Sequence, residues 1–161
     1  MPNLSRRRAL GAAGFAVSAA MLASFLSLSP ALARQPAVFN DLIKGVAVGG
    51  YDPVAYHTLQ KATPGNPAIT AQHEGVTWRF ASEANKALFV ANPARYAPEY
   101  GGYCAWAVAS GYTAKGDPEA WTLVGDKLYL NYNKSVQKGW EKDIPGNVKK
   151  GDANWPNVLN K

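Results

Sequence analysis

One thiol and two imidazoles are the side chains of this sequence with the clearest capacity for chemistry. Cys104 is the single cysteine, and His57 and His73 are the two histidines. Thiolate and imidazole are ligand types that favour Cu(I) and Zn(II). The candidate metal ligands are therefore Cys104, His73 and His57, with copper or zinc as the candidate cofactor. No paired-cysteine or paired-histidine spacing marks a closed site, and free cysteines are often core residues, so a structural role for Cys104 stays open.

Aromatic residues surround Cys104 in the sequence and indicate a different kind of site. Such a set can line a pocket for a small planar or cationic ligand, or present a surface to a partner protein, without any metal. The same side chains can instead build the core of a small domain, where each buried tyrosine hydroxyl needs a hydrogen-bond partner. The candidate ligand-binding residues are Tyr51, Tyr56, Tyr96, Tyr100, Tyr103 and Trp106.

Two adjacent glycines, Gly101 and Gly102, lie just before Cys104. Because glycine adopts positive φ without steric cost, both positions are predicted to be critical for the backbone. Catalysis by Cys104 would also require an oriented base, and no spacing places His73 in that role. We therefore interpret the chain as a binding protein without a recognisable catalytic constellation. In an oxidising compartment a single thiol can also link two chains, which predicts a possible dimer through Cys104.

Residues 1–33 have the pattern of an export signal. Arg6 and Arg7 form the arginine pair of a twin-arginine signal. An uncharged stretch follows over residues 9–28, and residues 31–33 (Ala-Leu-Ala) are typical of a cleavage site. We expect cleavage after residue 33 and a periplasmic or secreted location reached by the twin-arginine route. An uncleaved signal would be the only expected attachment to a membrane.

The charge balance excludes one class of partner. The 161 residues include 17 Lys and Arg against 11 Asp and Glu, which gives a formal net charge of +6. Three arginines and no acidic residues belong to the predicted signal, so the rest of the chain carries +3. It contains no dense run of basic residues, and we therefore expect no binding to nucleic acid.

Short hairpins and short helices alternate along the rest of the chain. Residues 34–45 are predicted as an N-terminal lead-in and residues 46–159 as one domain. Apolar residues at every second position predict hairpins over residues 69–80 and 121–132, each with a glycine in its turn. This pattern predicts a small single α+β domain of antiparallel hairpins packed with short helices. No internal repeat is recognisable.

Capping residues predict where the helices begin. Ser82, Asn92 and Ser135 each precede a segment with helical character, and Asn92 is followed by a proline that suits the first helical position. The apolar run over residues 104–109 is predicted to be a buried strand. Cys104 would then lie at the start of that strand, directly after the glycine pair.

Several motifs together resemble the YHS domain family, in particular its exported single-domain members with a twin-arginine signal. They are residues 50–56 (Gly-Tyr-Asp-Pro-Val-Ala-Tyr), 78–85 (Trp-Arg-Phe-Ala-Ser-Glu-Ala-Asn), 92–98 (Asn-Pro-Ala-Arg-Tyr-Ala-Pro) and 100–105 (Tyr-Gly-Gly-Tyr-Cys-Ala). The resemblance covers about residues 46–159. It implies a periplasmic binding protein that associates with a transition metal such as copper.

The sequence departs from the metal-type members of that family at one junction. Those members resemble Phe-Cys-Ser-x-x-Cys, whereas this chain has Phe-Ala-Ser-Glu-Ala-Asn over residues 80–85. Ala81 and Asn85 therefore stand where the two thiolates would be. The resemblance does not carry a metal role onto these positions. A small-ligand or protein-partner module that uses the aromatic surface around Cys104 is the alternative.

Overall fold

The computed structural model describes residues 34–161, in which two antiparallel hairpins form the β structure. Strand β1 (Asn66–His73) pairs with β2 (Val76–Phe80), and β3 (Asp117–Val124) pairs with β4 (Lys127–Asn131). The two strands of each hairpin join through a two-residue turn that contains glycine, as the sequence predicts. Both hairpins and the α+β fold class are confirmed.

Six short α-helices surround the hairpins in the described part of the chain. They are α1 (Ala55–Thr58), α2 (Glu83–Ala91), α3 (Pro93–Tyr96), α4 (Ala105–Ala109), α5 (Lys134–Trp140) and α6 (Ile144–Asn154). Two predicted caps are confirmed. The Ser82 hydroxyl accepts the Asn85 N–H at the start of α2, and the Asn92 side chain accepts the Arg95 N–H at the start of α3.

Two predicted elements are wrong in detail. Helix α5 is capped by Asn133, whose Oδ1 accepts the Val136 N–H at 2.9 Å, and not by Ser135. The run over residues 104–109 is not a strand, because all but its first residue form helix α4. A short apolar run has no readable period, and its alanine content favours a helix. Helix α4 packs against α6 and is largely buried.

Two backbone turns of the same unusual shape divide the domain into halves. The first Gly-Gly turn (Ala47–Gly50) and the second Gly-Gly turn (Glu99–Gly102) each contain three successive residues with positive φ. Each triplet begins with a side chain that rarely adopts this conformation, Val48 at φ 52° and Tyr100 at φ 55°. Two such strained triplets in one small domain indicate that the turns are structural counterparts.

The elements after each turn also correspond. A short helix of four or five residues, a hairpin, a capped helix and a further helix follow in the same order in residues 46–97 (the first half) and 98–159 (the second half). Each hairpin has its register shift near the start of its first strand, where Asn66 and Asp117 each accept a backbone N–H two residues later at 2.9 Å. The domain is therefore an internal structural repeat, which the sequence analysis missed.

Strand β4 separates the two hydrophobic clusters of the core. Leu128 and Leu130 point to the cluster that contains Trp78 and the other apolar residues of β2. Tyr129, on the opposite face, packs against Trp140 in the second cluster, with ring centroids 5.2 Å apart. The strand is thus buried on both faces, and its alternating side chains join the two halves.

The lead-in crosses the second half before the repeat begins. Phe39 N–H donates to the Gly101 carbonyl at 2.9 Å, and its ring packs against Tyr103. Gln35 N–H donates to the Leu159 carbonyl at 2.8 Å. The predicted signal, residues 1–33, lies outside the described residues. Within residues 34–161, no helix has the length and apolar character needed to cross a membrane.

Candidate functional site

Cys104 lies between the second Gly-Gly turn and helix α4. Its residue is 2% exposed, and its N–H donates to the Ala114 carbonyl at 2.9 Å. Its Sγ lies 3.8 Å from Oδ1 of Asn131, close enough for a weak hydrogen bond from the thiol. That oxygen also accepts the Trp106 N–H at 3.3 Å. The thiol is free and buried, and a disulfide with a second chain stays a prediction.

Asn131 is the polar residue of this site that the sequence analysis missed. It ends strand β4 with no exposed surface. Because the Trp106 N–H needs an acceptor, the side-chain oxygen faces that donor, and the amide nitrogen is left buried without a partner. An unpaired buried donor is unfavourable and unusual in a native fold. An asparagine within a buried, apolar strand was the available sequence signal.

A cavity of about 410 Å³ adjoins the thiol. We call it the Cys104 cavity. Its lining consists of Cys104, Trp106, Ala107, Tyr112, Ala114, Tyr132 and Val136. None of these side chains is charged. The three aromatic residues Trp106, Tyr112 and Tyr132 are 37%, 55% and 44% exposed, so they form the rim, and the buried thiol lies inside.

The two histidines lie elsewhere. His73 ends β1, packs edge-on against Phe89, and lines a second cavity of about 500 Å³ that Cys104 does not line. His57 lies on α1, where its Nε2 is buried without a partner, and burial, with Arg95 as a second cause, lowers its pKa. Among the described residues no three His, Cys, Asp or Glu side chains are grouped to hold a metal ion. Metal association stays a prediction.

Most of the predicted aromatic set serves the core. Three of its tyrosine hydroxyls donate to nearby acceptors at 2.9–3.0 Å: Tyr51 to Glu119, Tyr56 to the Pro118 carbonyl, and Tyr103 to the Pro36 carbonyl. Tyr96 packs edge-on against His57. Tyr100 lines the second cavity and donates to Asp152. Burial raises the pKa of Tyr103 to about 12, as expected for a core phenol. Of the predicted aromatic set, only Trp106 lines the Cys104 cavity.

The first half shows what the same place looks like when it is filled. Asp52 follows the first Gly-Gly turn as Cys104 follows the second, and it is fully buried. Its carboxylate accepts N–H groups from Val54 at 2.9 Å, from Ala81 at 2.8 Å and from the Asn85 side chain at 2.7 Å. The Asn85 side chain is thus engaged by Asp52.

The second half lacks this network. Trp106, the counterpart of Val54, donates its N–H to Asn131 instead. Val136 stands on α5 where Asn85 stands on α2, three residues after the helix cap in each case, and it offers no polar group. The Cys104 cavity lies beside these residues. The same fold therefore has a closed hydrogen-bonded network in one half and an open apolar cavity in the other.

The reactivity of the thiol tests whether the cavity gives access to it. We expect a small neutral reagent, methyl methanethiosulfonate, to modify Cys104 in the native protein, because Cys104 forms part of the cavity wall. Mass spectrometry measures the rate. Ala114→Phe, which narrows the cavity, should slow the reaction, whereas Val90→Phe on the exposed side of α2 should not. Modification only after denaturation would contradict an accessible cavity.

No protein-family model matches this chain, and neither the curated proteins nor the solved structures include a match.

Proposed function

We propose that the protein binds a small, mainly apolar ligand in the Cys104 cavity of its second half. The observation that carries this proposal is the difference between the halves: Asp52 and Asn85 close the corresponding place in the first half, and Cys104 and Val136 leave it open. The cavity volume of about 410 Å³ lies within the range of small-molecule sites, roughly 300–1,000 Å³.

The hydrophobic effect supports this proposal. Trp106, Tyr112 and Tyr132 leave apolar surface in contact with water at the rim of the cavity, and removing such surface from water is favourable. The first half demonstrates that this architecture can fill the place with ordinary side chains. An open, aromatic-rimmed cavity in the second half is therefore not a requirement of the fold. A bound ligand would remove the apolar surface of this cavity from water.

The lining gives the chemistry of that ligand. Trp106, Tyr112 and Tyr132 offer aromatic surface, and the rest of the lining consists of aliphatic side chains and the Cys104 thiol. No charged side chain belongs to the lining, so an uncharged ligand fits better than an ion. We further propose, from the pattern of residues 1–33 and the resemblance to the YHS family, that the protein acts in the periplasm.

Filling the cavity tests the proposal. We expect 2-naphthol, a neutral aromatic probe, to bind the wild-type protein and to lose at least about tenfold in affinity in Val136→Phe, because the larger ring occupies the ligand's space. Isothermal titration calorimetry measures the dissociation constant. Val90→Phe is the matched control, since Val90 is 59% exposed on the other half's helix. Equal binding by wild type and Val136→Phe would contradict the proposal.

Metal uptake and probe binding, measured on the same protein, distinguish this proposal from metal association. Cys104 is the one soft ligand of the cavity lining. Stoichiometric uptake of Cu(I) or Zn(II) that is lost in Cys104→Ser, with no binding of the aromatic probe, would favour a metal function. Binding of the probe without metal uptake would support the aromatic site.

A further inference from the structure

Gly139, next to the last residue of α5, lies directly against the indole of Trp106. A Cβ atom built on Gly139 would lie 2.0 Å from Cζ3 and 2.4 Å from Cη2 of that ring. Both distances are far shorter than any contact that a real Cβ makes. The Trp106 ring therefore occupies the space of the missing side chain and rests on the helix backbone.

The first half contains the opposite combination. Leu88 precedes the buried Phe89 on α2, as Gly139 precedes the buried Trp140 on α5. In the first half, Val54 is the counterpart of Trp106. One half thus combines a large helix residue with a small residue after the turn, and the other half reverses the sizes. This exchange lets a tryptophan face the cavity without moving the helix.

The recess at Gly139 gives Trp106 a defined position although the residue is 37% exposed. An exposed side chain without such a recess would sample several rotamers and would not present a fixed surface to a ligand. A wall fixed as a flat ring favours a ligand with a flat face, because stacked rings lie in full contact and globular hydrocarbons do not.

We infer that Gly139 is a specificity-determining residue of the Cys104 cavity. Gly139 holds the Trp106 ring as a flat wall, and the cavity therefore selects planar aromatic ligands. This inference rests on the proposed function of the cavity. Gly139 acts through Trp106 and has no place in the cavity lining itself.

Two neutral alcohols of different shape provide the test. Flat 2-naphthol should bind the wild-type protein at least about tenfold more tightly than globular 1-adamantanol. In Gly139→Ala the added methyl group displaces the Trp106 ring, so the affinity for 2-naphthol should fall about tenfold and the preference should largely disappear. Lys138→Ala, on the same helix with an exposed side chain, should leave both constants unchanged.

A double variant keeps the test decisive if the alanine variant is unstable. Trp106→Val with Gly139→Leu recreates the size combination of the first half and should remain folded, as judged by its melting temperature. It should bind 2-naphthol at least about tenfold more weakly than wild type, with no preference between the probes. A retained preference in this variant, or in folded Gly139→Ala, would overturn the inference and leave the proposed function standing. Failure of wild type to bind either probe would overturn the proposed function itself.

Discussion

Replacing Gly101 by alanine should lower the free energy of unfolding by about 3 kcal/mol. Gly101 has φ +60°, and a Cβ there would lie 1.9 Å from the carbonyl oxygen of Ala37. That oxygen belongs to the backbone and cannot rotate away, so the lead-in must shift. The shift also removes the hydrogen bond from Phe39 N–H to the Gly101 carbonyl. Urea denaturation followed by circular dichroism measures the change.

Alanine variants of two other glycines distinguish the steric clash of an added Cβ from the strain of positive φ. Gly75 has φ +75°, and a Cβ added there would have nothing within 4 Å, so Gly75→Ala should cost only the conformational strain, about 1 kcal/mol. Gly102 has φ +80°, and the nearest neighbour of an added Cβ is Pro98 Cγ at 3.3 Å, so its alanine variant should lie between the two. Equal stability of Gly101→Ala and Gly75→Ala would contradict the close contact between Gly101 and the Ala37 carbonyl of the lead-in.

Asp52→Ala should also destabilise the protein by about 3 kcal/mol. Alanine removes the acceptor of three N–H donors, from Val54, Ala81 and Asn85, and at least the first of these is buried. Each buried donor left without a partner costs about 1–3 kcal/mol. Thermal and urea denaturation of the variant measure the loss.

A double-mutant cycle assigns the effect to the hydrogen-bonded network. Asn85→Ala removes a single donor and should cost about 1 kcal/mol. The two changes should not add, because Asn85 has lost its acceptor once Asp52 is gone. In the second half, Cys104→Ala should cost much less than Asp52→Ala, since the thiol makes one weak contact with Asn131 at 3.8 Å. Additive effects, or equal losses at the two positions, would contradict the contrast between the halves.

The hairpins and the starts of helices α2 and α3 were predictable because local sequence determines them. Val76, Trp78 and Phe80 alternate with polar residues and are all buried on one face, and the caps at Ser82 and Asn92 are close in sequence to the N–H groups they bind. The segment after Cys104 was not predictable in this way, because five residues are too few to distinguish a helical from an extended period.

The candidate site was predictable only in part. Cys104 and Trp106 are close in sequence, so an aromatic neighbourhood for the thiol could be predicted. Tyr132, Val136 and Gly139 reach the site through the packing of β4 and α5, which no local pattern reveals. The two histidines lie on other elements, α1 and β1. This could not be predicted, because their sequence positions give no information about their distance from Cys104 in the fold.

The repeat escaped detection for a physical reason. Within the two turns, the glycines are retained because positive φ leaves little choice of residue, and the tyrosine after them is also the same. Several other counterparts differ in size and polarity, as Asp52 and Cys104 or Asn85 and Val136 do. The backbone conformation is shared, and the side-chain chemistry that would make the repeat visible has diverged.

The hydrogen bond between Gln35 and Leu159 places the two ends of the described chain side by side. A short peptide joining them would close the backbone into a ring without displacing either Gly-Gly turn. Ring closure reduces the entropy of the unfolded chain and leaves native contacts intact, so the fold is compatible with cyclisation. In such a ring, neither half precedes the other.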